Sequence, residues 1–181
     1  MKRIALLSSV LIICLVTLFQ AQTAVPKPAP ELRQEEVWVG DFTLSGTAKD
    51  TPTGPEYKLE WHMHSHWILG GFFLETDSTT KGNGVETQML EIGSYDPIKK
   101  THVLSGFGSD GTTWVLTATF DHETSVEIGT TTAPDGTLTN FRNTFVFSSD
   151  GMAVSGTEES EQNGVRWTSF KVKGTKSKTA H

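Results

Sequence analysis

The sequence predicts an all-β fold in which about ten antiparallel strands follow one another as a meander and close into a barrel. Two observations carry this reading. Five Asx-Gly dipeptides, Asn83-Gly84, Asp110-Gly111, Asp135-Gly136, Asp150-Gly151 and Asn163-Gly164, fall between segments of alternating apolar and polar residues. Asn-Gly and Asp-Gly tolerate the positive φ angles of type I′ turns, so each marks a tight hairpin. In addition, no stretch beyond residue 36 shows helical periodicity. Hairpins pair sequence neighbours, and a long antiparallel sheet removes its exposed edges by closing on itself. The result is an up-and-down barrel rather than a two-sheet sandwich, because only 47–55, with Pro52, Gly54 and Pro55, makes a roomy connection.

From the N-terminus, Lys2 and Arg3, an apolar run from Ile4 to Phe19 and the stretch Gln20-Ala21-Gln22-Thr23-Ala24 have the three zones of a secretory signal peptide. Residues 1–24 are expected to be cleaved and the product to be secreted or periplasmic. The apolar run is short of the roughly 20 residues that span a bilayer, and no later segment matches it. No transmembrane segment is therefore expected after cleavage. The single cysteine, Cys14, lies inside that run, which leaves the exported part to be held by its core without disulfides. Residues 25–35 form a leader with Pro26, Pro28 and Pro30, followed by one helical turn near 31–36. Pro30 suits its first position, and the turn is placed to plug a barrel end.

Strands are expected near 36–46, 56–67, 71–79, 84–95, 101–108, 112–120, 125–132, 137–148, 152–160 and 164–173, within one barrel domain over 36–174. Residues 175–181 are expected to be a disordered tail. The 15 Lys and Arg residues stand against 21 Asp and Glu, a net charge of −6, and cleavage would remove Lys2 and Arg3. That balance argues against nucleic acid or an anionic membrane as the main partner and reads as solubility, and a monomer is expected.

Inward faces follow from the more apolar register of each strand. On 56–67, Tyr57, Leu59, Trp61, Met63, Ser65 and Trp67 share the inner face, while Lys58, Glu60, His62, His64 and His66 share the outer one. The same rule turns inward Trp38 with Phe42 or Leu44, then Trp114, Leu116, Ala118 and Phe120, then Phe141, Phe145 and Phe147. Arg142, at an even position between phenylalanines, points outward. Trp38, Trp61, Met63, Trp114 and Phe141 are the candidate wall of a ligand-binding lumen.

Two histidines on one strand face can share a metal ion, so His62 and His64 are candidate ligands for zinc or another divalent metal, with Glu75 or Asp77 as a third. The competing reading is a solvated outer face. Haem ligation finds no histidine on the last strand, and His102, His122 and His181 read as adventitious. No nucleophile elbow or triad order is present. Glu158 and Glu159 alternate across their strand and read as surface charge.

Three stretches resemble the family known as domain of unknown function 1579: Pro28-Ala29-Pro30-Glu31-Leu32 leading to Val37-Trp38-Val39-Gly40-Asp41-Phe42, then Trp67-Ile68-Leu69-Gly70-Gly71-Phe72-Phe73-Leu74-Glu75, then Ile92-Gly93-Ser94-Tyr95-Asp96 with Lys99. Phe42 stands where the family usually carries tryptophan. The resemblance implies a lipocalin-like, calycin-type barrel and supplies no catalytic residues. Function is thus left among three readings. The first is a non-enzymatic barrel binding a small apolar molecule. The others are a metal-dependent enzyme or sensor using the His-x-His face, and a structural envelope protein.

Overall fold

The computed structural model describes residues 26–177. The expected signal peptide with Cys14, and residues 178–181 with His181, lie outside the described residues. Ten strands form the sheet: β1 (Gly40–Ala48), β2 (Tyr57–Ile68), β3 (Phe73–Gly82), β4 (Val85–Asp96), β5 (Thr101–Gly108), β6 (Thr113–Asp121), β7 (Thr124–Thr132), β8 (Leu138–Phe147), β9 (Ala153–Gln162) and β10 (Val165–Lys176). Each pairs antiparallel with the next, and β10 pairs with β1 from Phe42↔Lys176 to Ala48↔Phe170. The meander is therefore a closed barrel. No helix among the described residues is long and apolar enough to cross a membrane.

Two boundaries depart from expectation. β1 begins at Gly40 rather than 36, because the N-terminal helix is longer than one turn: a 3-10 helix spans Pro30–Trp38. β10 continues to Lys176, into the segment expected to be tail, because the seam with β1 supplies it with backbone partners.

Turn chemistry also divides in two. Asn83-Gly84 and Asn163-Gly164 have positive φ at both residues (49° and 76°; 52° and 80°), as type I′ turns require. At Asp110-Gly111, Asp135-Gly136 and Asp150-Gly151 only the glycine is at positive φ. In these the aspartate accepts from the backbone N–H two residues on, at 2.9, 2.9 and 3.0 Å. The glycine N–H bonds back three residues, at 2.9, 2.9 and 2.8 Å. These are longer hairpin loops built on a type I turn with a left-handed glycine, in which the aspartate acts through its side chain.

Because strand direction alternates, one end of the barrel gathers the start of β1 and the β2–β3, β4–β5, β6–β7 and β8–β9 links. The 3-10 helix caps this end. With three residues per turn, Leu32, Glu35 and Trp38 fall on one face, and all three are buried. Trp38 meets Phe145 and Phe147 edge-on at 4.9 and 4.7 Å between ring centres, and Phe42 at 5.7 Å. On the helix's other face, Trp67 Nε1 donates to Glu36 Oε2 at 2.8 Å, and the Arg33 guanidinium sits 4.6 Å from the Trp67 ring centre. The helix is thus pinned on both faces.

Buried apolar residues form two clusters, one around Trp38, Phe42, Leu44, Phe145 and Phe147, the other around Leu104, Leu116, Ala118 and Phe141. Arg142 is exposed, as the phenylalanine alternation on β8 demands.

Candidate functional site

Between the helical plug and the opposite end of the barrel lies a cavity of about 300 Å³. It extends from Glu35 and Trp38 on the plug to Thr80, Thr112 and Thr131 near the far rim. All five expected wall residues, Trp38, Trp61, Met63, Trp114 and Phe141, border it. Trp61, Met63, Trp114 and Phe141 belong to the inward registers of β2, β6 and β8, which period-two alternation brings together, and Trp38 reaches the same space from the three-residue period of the plug.

The cavity is not purely apolar. Four carboxylates line it: Glu35 on the helix, Glu91 on β4, Glu127 on β7 and Glu158 on β9. Each is held by a wall partner. Glu35 Oε1 lies 2.7 Å from His102 Nδ1, whose Nε2 in turn meets the Gln34 side chain at 3.0 Å. Trp114 Nε1 donates to Glu91 Oε2 at 2.6 Å, and Asn143 Nδ2 donates to Glu127 Oε2 at 3.0 Å. Ser169 and Ser160 donate to Glu158 Oε1 at 2.6 and 3.1 Å. Ser169 is available because β10 carries a bulge between Thr168 and Phe170, and the extra residue leaves the ladder with its hydroxyl turned to β9. Glu35 needs Gly93 beneath it, since a Cβ there would collide with its carboxylate.

Burial disfavours the charged form of every one of these acids. It pushes Glu91 up to about 7, with the Trp114 bond opposing and the Glu35 charge adding. Glu127 is pushed up to about 8, by burial first and the neighbouring Glu91 charge second. Glu35 and Glu158 are raised by burial against their hydrogen bonds to His102 and to Ser169 and Ser160. The four carboxyls share an ordinary value of 4.5, which is what the unfolded chain presents. Between that value and about 8 the folded chain therefore holds more protons than the unfolded one. The associated stability is fully present below about pH 4.5 and is lost as pH rises through about 7 and then about 8. Urea unfolding should show the free energy falling from pH 5 to pH 8, on the order of a few kcal/mol in total. A flat or rising profile over that window would contradict the burial of these groups.

A family model described as "Protein of unknown function (DUF1579)" matches residues 28–173. The chain belongs to the DUF1579 family. No curated protein matches it. The matched span of this DUF1579 protein includes the helical plug, all four cavity carboxylates and the β10 bulge.

Two sequence readings are corrected by this geometry. His102 is buried rather than adventitious, because the inward register of β5 is His102, Leu104 and Gly106. Glu158 is a cavity residue rather than surface charge. Glu159 beside it is exposed, as alternation requires.

In the DUF1579 barrel His62 and His64 lie on the outer face of β2, outside the cavity. His64 Nδ1 is 2.7 Å from Asp41 Oδ1 and His62 Nδ1 is 3.3 Å from Thr43 Oγ1, both on β1. His66 Nε2 is 3.7 Å from Glu75 Oε1 on β3, and Asp77 stands opposite His64 in register. Each ring is turned to its own neighbour. Among the described residues no three His, Cys, Asp or Glu side chains are grouped to hold one ion.

Proposed function

We propose that this DUF1579 protein is a non-enzymatic, monomeric barrel that holds one small, largely apolar molecule in its lumen. The observation that carries the reading is the aromatic-walled cavity of about 300 Å³ in the barrel, at the lower end of the roughly 300–1,000 Å³ typical of ligand pockets. Two residues that line it carry polar atoms buried without a hydrogen bond, Trp61 Nε1 and Asn143 Oδ1, whereas buried polar atoms are ordinarily satisfied. A ligand carrying a matching donor and acceptor would complete them. Export belongs to the same reading and rests on the zoned pattern from Lys2 to Ala24.

Titration with N-phenyl-1-naphthylamine, a neutral dye that brightens in apolar surroundings, tests this directly. Saturable binding at one dye per chain is expected, together with its loss in Thr131→Trp, which sets an indole into the far end of the cavity. Dye fluorescence that never saturates, or that is unchanged in the filled variant, would reject a lumen site.

A further inference from the structure

Resting on that reading, we propose that the ligand is an amine: an apolar, preferably aromatic body whose ammonium group donates to the carboxylates inside the barrel. Three independent features converge on this chemistry.

The first is the inventory of unused hydrogen-bonding atoms. Glu35 Oε2 and Asn143 Oδ1 are acceptors buried without a partner, and Glu35 and Asn143 are only 1% and 8% exposed. The wall bonds to Glu91 and Glu127 each engage Oε2, and those to Glu158 engage Oε1. The second oxygen of each is left with no donor among the described residues. Among the cavity-lining residues described, the donor buried without a partner is Trp61 Nε1, since His66 and Ser125, whose Nδ1 and Oγ are likewise unpaired, do not line the cavity. A ligand that fits must therefore bring donors, and an ammonium group brings three with no acceptor.

The second feature is charge. The titratable groups facing the cavity are Glu35 on the helix, with His102 of β5 behind it, Glu91 on β4, Glu127 on β7 and Glu158 on β9. Among the described residues no lysine or arginine lines it. An anionic ligand would enter against this field, while a cation would offset it at short range.

The third is the wall. Trp38, Trp61, Trp114 and Phe141 border the same space, and aromatic rings attract cations over their faces while accommodating an apolar body. The ammonium also stabilises the ionised carboxylates, whose protons burial otherwise retains. Binding should therefore release protons and tighten from pH 6 to pH 8, where a simple amine stays charged.

The test is displacement of bound N-phenyl-1-naphthylamine by three probes of similar shape: 3-phenylpropylamine, butylbenzene and 3-phenylpropanoate. The amine is expected to compete at least tenfold better than the hydrocarbon, the carboxylate worst, and the advantage of the amine to grow from pH 6 to pH 8. Glu91→Gln and Glu127→Gln should each reduce the preference for the amine over butylbenzene several-fold; the comparison among probes on the unaltered protein stands even if a variant does not fold. Equal competition by butylbenzene and the amine, or better competition by the carboxylate, with the dye still bound, overturns the amine inference alone. A dye that fails to bind overturns the lumen reading and this inference with it.

Discussion

Trp38→Ala should lower the free energy of unfolding by about 3–5 kcal/mol, the range for removing a large buried aromatic side chain, and should reduce the melting temperature by roughly 10 °C or more. The indole is 7% exposed and makes edge contacts with Phe42, Phe145 and Phe147, each worth about 0.5–1.5 kcal/mol beyond area burial. It also joins the plug to β1, since one residue, Val39, separates the helix from Gly40. Loss of the indole thus removes core volume and loosens the closure of one barrel end together. Denaturant titration of the variant measures the effect, and a loss below about 1 kcal/mol would mean that the plug contributes little to holding the barrel.

The second large effect concerns Glu35 and His102. Their carboxylate and imidazole meet at 2.7 Å with side chains 1% and 4% exposed. Removing one member of such a buried pair typically costs about 3–5 kcal/mol because the other loses its compensation, whereas replacing both with apolar residues is often neutral. His102→Ala should accordingly be severely destabilising at pH 7.5. The penalty should shrink toward pH 5, because Glu35, already raised by burial, can then take a proton instead. The double change Glu35→Leu with His102→Leu should be far less harmful than the single one, and a double-mutant cycle reports the coupling. If the single and double variants lose stability equally and without pH dependence, the pair does not act as a charged unit.

The barrel itself was legible because its signals are local. Turn residues set where the strands end, and alternation on β2 and β8 separated Trp61 and Met63 from His62 and His64, and Phe141 and Phe145 from Arg142, without any long-range information. The acid lining was hidden for a related reason: choosing the more apolar register inverts β7, and on β4 it does not foresee an acid among the inward residues. On β4 the inward residues are Met89, Glu91 and Gly93, while Leu90 is exposed. On β7, Ser125 and Glu127 are buried while Ile128 is 52% exposed. Cavity walls that hold a polar group break the rule that apolar means inside, and this is where pattern reading is expected to fail. His102 was masked differently. Its importance depends on Glu35, which lies 67 residues away in the chain, and no local pattern encodes that meeting. The single turn expected near 31–36 became a longer helix because the spacing of Leu32, Glu35 and Trp38 matches a period of three, which a search for amphipathic α-helices does not weigh.

The seam between β1 and β10 governs when the molecule can come into being. On the side away from β2, Phe42 finds its backbone partner at Lys176, so a chain emerging progressively from a ribosome carries β1 with one side unpaired until β10 has appeared. During that interval β1 presents an open template for other chains, and the wide loop that must be drawn shut slows the final step. Assembly is thus timed by the arrival of β10, and a product cut short before it would be a sheet with two raw margins rather than a smaller vessel.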